Sequence, residues 1–483
     1  MTTVHEAVEA LFRDAGEPRR LVLHAGLERI CRPRAPRLHN LVREPDWQQV
    51  VAGFQAELLR LDPDPAAWLP HLEAGLRRRP QDENRRLLRC AAALQALDAT
   101  LEPEEFGQAT VELPAFFGAG AKTLFLPPPE APIEGWVPEK LKIDRGAGEL
   151  GLHLPSLLDL RWRLVHLEGR PVTPRPQPLD AAVAEVLARR LEETGDLRVA
   201  LASPFAGLEQ PVDGDPGRCG RDGTPYRFRG LRGKERQAAR GELEAILGAC
   251  AEQRVDVLCL PELTVDGGVL SDLARMLAIE NASEHPALVV AGSRHAGDGT
   301  CCRNRCTVLD GRGEVLFTHD KIVPFKITRA AAEAMGSDVC AKLGIDERGG
   351  YEDVDAGTEL PLVDAPLGRL ATPICLDFCG TELRDLMAEC GVNLLLVPAM
   401  TARMDPFRQR ARELGSLSRA ASFVVNSAWL LRLLGQSEEA RRRRLLHVYL
   451  PARGRAWDGD QQDEPTEPVH VFTMSVRLFR DKT

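Results

Sequence analysis

The sequence contains no uninterrupted apolar run of about 18 residues, so no membrane-spanning helix is expected. It has no basic excess: 62 lysines and arginines face 71 aspartates and glutamates, for a net charge of −9. A protein whose main partner is nucleic acid needs a basic face for phosphate, so that class of partner is not expected. The start, MTTVHEAVEALFRDAGEPRR, carries acids and no long apolar core, so no export signal is expected. Twelve cysteines without such a signal point to free thiols in a reducing cytoplasm. They do not form zinc-binding pairs. Cys301, Cys302 and Cys306 lie close together, but no second pair stands at finger or ribbon spacing. Six histidines (His5, His24, His39, His71, His153, His166) are scattered through the first 180 residues without paired ligand spacing. No metal or organic cofactor is expected, and no repeat period is legible.

What is present is a chain of 483 residues, 44% hydrophobic and 28% charged, enough for about two to four domains with sizeable cores. Residues 1–110 read as mostly helical, with apolar series at Ala7, Leu11, Leu21 and Leu23. Further helices are expected after Asp46, after Asp64 and over Glu83 to Leu97. Leu152 to Leu167 has mixed apolar character that suits a helix. Pro171 to Pro178 (PVTPRPQP) reads as a stiff linker. The expected organisation is a mostly helical domain of unassigned role over 1–180 and an α/β domain over 181–483.

In the second part, three apolar strand runs each end on a reactive side chain. Val255 to Leu260 leads to Glu262. Glu314 to His319 leads to Lys321. Arg369 to Ile374 leads to Cys375, after which Thr381 can cap a helix carrying Leu383, Leu386, Met387 and Cys390. Carboxyl ends of strands form the reactive crevice of open α/β folds. A cysteine nucleophile needs a base, and a carboxylate such as Glu262 can serve; a developing oxyanion needs a positive group, and a lysine such as Lys321 can serve. An elbow at a helix N-terminus also favours thiolate at Cys375. By itself each residue has a plainer reading, a buried core thiol or a solvated charge. Arg218, Arg221, Arg227 and Arg229, in the loop 204–232, suit either an acidic substrate group or a solvated face.

The three contexts, LCLPELT, NRCTVLDGRGEVLFTHDK from Asn304, and PICLDFCGTELRDLMAECGVNLLLVPA, resemble the nitrilase, or carbon–nitrogen hydrolase, superfamily in chain order and spacing. LGSLSRAASFVVNSAW resembles a further helix–strand segment of that family. The resemblance runs from about Leu197 onward. It implies an α-β-β-α sandwich of two sheets, preceded here by the helical domain. It implies a Glu262–Lys321–Cys375 triad, with the Leu376 backbone N–H assisting at the oxyanion. A second site carboxylate is implied by a Glu shortly before a Gly, here Glu352 before Gly357, with Glu359 as the alternative. The segment Ile327 to Gly350 is an insertion relative to the family, suited to a lid or a partner surface.

The implied reaction is hydrolysis of a non-peptide carbon–nitrogen bond, a carboxamide or nitrile, through a cysteine thioester, without cofactor. The resemblance also implies a homo-oligomer formed through sandwich helices, and the N-terminal domain can serve a protein partner. Two other readings stay open: an acyltransferase using the same thioester, and a non-catalytic nitrilase-fold subunit of a larger, defence-related complex.

Overall fold

The computed structural model describes residues 3–14, 19–34, 73–74, 76, 83–100, 110–126, 163–167, 170–205, 207, 212–214, 223–279, 285–297, 302–335, 340–341, 345–366, 368–451, 455–458 and 469–475. Among these the chain divides into two units, with the boundary between Arg170 and Pro171.

The N-terminal unit contains α1 (Val4–Asp14), α2 (Arg19–Cys31), α3 (Glu83–Thr100) and an antiparallel sheet of β1 (Thr110–Glu112), β2 (Lys122–Leu126) and β3 (Arg163–His166). Val4, Ala7, Val8 and Leu11 line one face of α1 at helical spacing and pack with Leu23, Leu27, Leu94 and Phe125. His24 is fully buried, and its Nε2 lies 2.9 Å from Asp98 Oδ1. The helix suggested for 152–167 is not formed at its described end, because 163–166 pair with β2 as a strand. The helices expected after Asp46 and Asp64 fall outside the described residues.

The C-terminal unit begins with a correction. PVTPRPQP is not a linker: β4 (Thr173–Pro178) pairs in parallel with β14 (Glu359–Ala365) along its whole length. Proline lacks an N–H and is tolerated on a sheet edge where that position faces outward. Thr173 and Leu179 donate their N–H to Thr358 and Asp364, while Pro174, Pro176 and Pro178 take the alternate positions. The alternation of proline reads as stiff coil in one dimension and as an edge strand in three.

After β4, α4 (Ala181–Thr194) is capped by Asp180, whose carboxylate accepts from the Ala182 and Val183 N–H. β5 (Asp196–Leu201) follows, then β6 (Val212–Gly214), β7 (Thr224–Phe228), α5 (Gly233–Glu252), β8 (Val257–Cys259), α6 (Gly267–Ile279), β9 (Leu288–Gly297), β10 (Cys302–Asp310) and β11 (Val315–Asp320). The stretch 326–352, which contains the insertion, forms β12 (Lys326–Ile327), α7 (Arg329–Met335) and β13 (Gly350–Glu352). Beyond β14 come β15 (Gly368–Ala371), α8 (Leu376–Cys379), α9 (Thr381–Glu389), β16 (Leu394–Ala399), α10 (Asp405–Ser418), β17 (Ala421–Asn426), α11 (Ala428–Leu433), α12 (Glu438–Leu445), β18 (Leu446–Leu450), β19 (Arg455–Asp458) and β20 (His470–Ser475).

One sheet runs β11-β10-β9-β8-β5-β20 and the other β19-β18-β17-β16-β15-β14-β4. β16 and β17 are buried at every residue, as suits parallel strands covered on both faces. The two sheets meet where β16 contacts β8 and β9 and where β11 contacts β14. α5 buries Ala239, Leu243, Ile246 and Cys250 against Leu258, Val289 and Leu309 of the first sheet. Each fully buried Leu or Ile there contributes about 1.5–3 kcal/mol. α10 covers β17 and β18 of the other sheet. The architecture is therefore helix, sheet, sheet, helix. A smaller sheet, β12-β13-β7-β6, joins the insertion to the loop after β5. The insertion is thus built into the unit by strand pairing and has its own small core of Ile327, Ala332, Cys340 and Ile345. No helix among the described residues is long and apolar enough to cross a membrane.

A β-bulge in β9 sets the site's geometry. Ala291 and Gly292 together oppose Thr307 between the Ser293–Cys306 and Val290–Val308 pairs. Gly292 has φ +69°, and a Cβ on it would lie 2.1 Å from the Pro261 carbonyl oxygen, one residue before Glu262. Gly292→Ala is expected to cost about 2–4 kcal/mol through left-handed strain and overpacking, read as a lower urea midpoint with an unchanged m-value.

Candidate active site

Four strand ends converge between the layers. Glu262 lies three residues beyond β8, Lys321 directly follows β11, Glu352 ends β13, and Cys375 sits at the N-cap of α8. All four are at most 4% exposed. Lys321 Nζ donates to Glu262 Oε1 at 2.6 Å and to Glu352 Oε2 at 2.9 Å. Asn304 Nδ2 lies 2.9 Å from Glu262 Oε1 and 2.6 Å from Glu352 Oε1. Glu352 Oε2 also accepts the Phe325 N–H at 3.0 Å. His295 Nδ1 accepts from the Phe228 N–H, so its Nε2 proton faces Glu352 Oε1, 3.0 Å away. Each charge taken from water is thus met by a partner, which a buried ion pair requires.

The electrostatics separate the two carboxylates. Burial alone would raise Glu352, but Lys321, His295 and the Phe325 N–H outweigh it and hold the group well below the usual carboxylate range. Glu262 is raised by burial, which the Lys321 charge only partly opposes, while the Glu352 charge adds to the rise. Burial works against the Lys321 ammonium, yet the two carboxylates keep it firmly protonated. Glu352 is therefore the fixed anion and Glu262 the adjustable one, as a general base must be.

Cys375 adopts φ 49° and ψ −102°, a conformation that costs a non-glycine residue roughly 1–3 kcal/mol. Its surroundings hold it there. The Cys375 N–H donates to the Pro398 carbonyl at 2.9 Å. The fully buried Asp377 carboxylate accepts from the backbone N–H of Ile322 and Val323, just past Lys321, and bonds His319 Nε2 at 3.0 Å. Asp377 thereby fastens the elbow to the lysine loop. Leu376 N–H has no acceptor among the described residues, as expected in the first turn of a helix.

The expected thiolate is overturned. Burial pushes the Cys375 thiol well above its ordinary range, the Glu262 charge pushes further, and Lys321 offsets only part. α8 is a single turn, so its end field is weak against that desolvation. The Cys375 thiol donates to the Met400 carbonyl, with Sγ 3.8 Å from the oxygen. The resting pair is a neutral thiol facing a carboxylate.

Of the two candidate second carboxylates, Glu352 joins the cluster, and Glu359 is exposed and pairs with Arg175. Thr381 opens α9 without a capping side-chain bond. Cys379 closes α8, with Arg410 and Asp377 as its charged neighbours and burial pushing its thiol to about 12. Arg227 is held by Asp353 at 2.8 Å, and Arg218 and Arg221 lie outside the described residues. His295, His319, Asp377 and Tyr226 had no sequence signal tying them to the site. Tyr226 lies directly opposite Glu352 in the β7–β13 register and is 4% exposed. Phe228 stacks edge-on with Tyr226, His295 and Trp429, making an aromatic wall.

An omega-amidase of Danio rerio is 27% identical over 168 residues, which cover 33% of this chain and 56% of the relative. The chain thus spans little more than half the length of that relative. Among solved structures, a Saccharomyces cerevisiae member of the nitrilase superfamily superposes with TM-score 0.38 at 14% identity, over 59% of this chain and 93% of the other. An amidase from Nesterenkonia sp. superposes with TM-score 0.36 at 15% identity, over 59% and 93%. The helix–sheet–sheet–helix sandwich of the C-terminal unit rests on its own strand pairing and interlayer contacts. No family model matches the chain.

The neutral thiol has a direct consequence. Alkylation of Cys375 by N-ethylmaleimide is expected to be slow at neutral pH. In Glu262→Gln, which removes the base, the rate should rise only at a pH above the range of an ordinary thiol. Fast labelling at low pH in that variant would restore the thiolate.

Proposed function

We propose that the protein hydrolyses a small carboxamide through a thioester on Cys375. The observation that carries this reading is the buried Lys321 bridging Glu262 and Glu352 beside a strained cysteine. Cys375 Sγ attacks the carbonyl carbon as its proton passes to Glu262. Negative charge develops on the carbonyl oxygen, where Lys321 and the Leu376 N–H serve as donors. Lys321 spends two of its three N–H groups on carboxylates, which leaves one for this task. The C–N bond then breaks, Glu262 returns the proton to nitrogen, and ammonia or an amine departs. Water, deprotonated by Glu262, attacks the thioester, and the carboxylic acid leaves as the thiol is restored.

Glu352 acts through Lys321. Its charge keeps the ammonium protonated, and its bonds to His295, Asn304 and the Phe325 N–H fix where that ammonium stands. The omega-amidase likeness supports an amide over a nitrile as substrate.

Ammonia release from a panel of small amides tests it. Cys375→Ala and Glu262→Gln are expected to reduce turnover to background while circular dichroism stays unchanged, and Cys379→Ser is expected to retain most activity. Full activity in Cys375→Ala would end the thioester reading.

The pH profile tests the base. Because burial raises Glu262, the acid limb of kcat/KM should lie above the range of an ordinary Glu. Glu352→Gln removes a neighbouring negative charge, so the limb should move to lower pH while turnover drops by about 100-fold. A limb that does not move would sever Glu352 from the base.

A further inference from the structure

Beyond the Cys375 cluster, one cavity stands out for its charge. It has a volume of about 320 Å³ and lies where α5 and α6 begin. Four arginines line it, Arg229, Arg232, Arg236 and Arg294, against a single carboxylate, Asp266. Asp266 is already committed: it accepts the N–H of Leu231 at 2.5 Å, Gly268 at 2.7 Å and Val269 at 2.9 Å. Arg236 is balanced by Asp272 at 2.8 Å. Arg294 is not balanced. Its half-buried guanidinium donates to Thr307 Oγ1 at 2.8 Å, and no carboxylate lies within ion-pair distance among the described residues. A guanidinium has five N–H donors, so most of its donor face is left for something else. A cation taken partly out of water without a counter-charge is costly, and an anion in the cavity would remove that cost.

The cavity is separate from the Cys375 cluster. Neighbouring residues of a strand point to opposite faces of the sheet. His295 turns towards Glu352, so Arg294 turns to the other face, where it meets Thr307. That is the face covered by α5 and α6. The bulge at Gly292 sets this phase. The two sites are still neighbours, because Leu263, which follows Glu262, and His295 also line the cavity.

We propose that this cavity binds the oxyanion group of a small metabolite, a phosphate or a carboxylate, with Arg294 as its principal ligand, at a site distinct from the substrate's. Its volume is at the small end for ligand sites, with room for one small acid. Phosphate and carboxylate both match the planar fork of a guanidinium, so the recognition chemistry is shared.

The test is calorimetric titration of the full chain with inorganic phosphate and, separately, with succinate. At least one should bind, and the tighter of the two identifies the class. Arg294→Met should weaken that binding by about tenfold or more, as loss of a charge-assisted bond does. Arg232→Ser changes an exposed side chain, leaves the fold intact and should weaken binding by a smaller factor. Alkylating Cys375 should leave binding unchanged. The proposal is overturned if neither anion binds, if both variants bind like the parent, or if alkylation abolishes binding and so places the anion in the substrate site. The heat signal needs no turnover, so the outcome is independent of whether the protein proves to be an amidase.

Discussion

A lysine held out of water between two carboxylates is the interaction on which the rest of the C-terminal unit depends. Lys321 is 1% exposed, and neither Glu262 nor Glu352 exceeds 2%. A lone ammonium there would lose several kcal/mol of hydration, and removing a partner from a buried ion pair typically costs about 3–5 kcal/mol. Both carboxylates therefore stabilise the buried ammonium. They arrive from different elements: Glu262 from the end of β8, Glu352 from β13 of the small sheet, and the lysine from β11. Bringing them within 3 Å of one nitrogen fixes the main sheet and the inserted segment against each other.

The same cluster explains the division of labour between its two acids. They share a lysine and an asparagine, yet burial with few compensations raises one, and burial with many compensations leaves the other low. What differs is His295 and the Phe325 N–H, both spent on Glu352. In the proposed mechanism the base is the acid with fewer donors. The strained elbow obeys a similar logic. Asp377 collects backbone N–H groups from both the lysine loop and the elbow, so the backbone strain at Cys375 is held by the packing that positions Lys321. The positions of Cys375 and Lys321 are thus set by one constraint rather than two.

The insertion takes a definite place in this picture. It contributes β12 and β13 to a four-stranded sheet, and β13 delivers Glu352. The loop after β5 contributes β7 to the same sheet, and β7 delivers Tyr226 and Phe228 to the site wall. Two segments far apart in sequence, each unlike anything around it, are joined by backbone hydrogen bonds into one wall.

The sequence by itself determined the strand ends. The apolar runs closing on Glu262 and Cys375 follow from β8 and β15, buried at every residue beside parallel neighbours, whereas β11, which leads to Lys321, is an antiparallel edge strand with alternating burial. The apolar face of α9 was equally local and equally legible. What depended on distant partners was not. PVTPRPQP carries every local sign of stiff coil, and only β14 beside it makes it an edge strand. Cys375 carries the local sign of a helix-end thiolate, and only three-dimensional burial keeps it protonated. Asp377, His295 and Tyr226 lie in unremarkable strings, and their roles exist only because β7, β9, β11 and β15 come together. Hydrophobic periodicity is written residue by residue, whereas desolvation and hydrogen-bond partnership belong to the packed chain, and these decided which acid is held low, which is raised, and that the Cys375 thiol is raised.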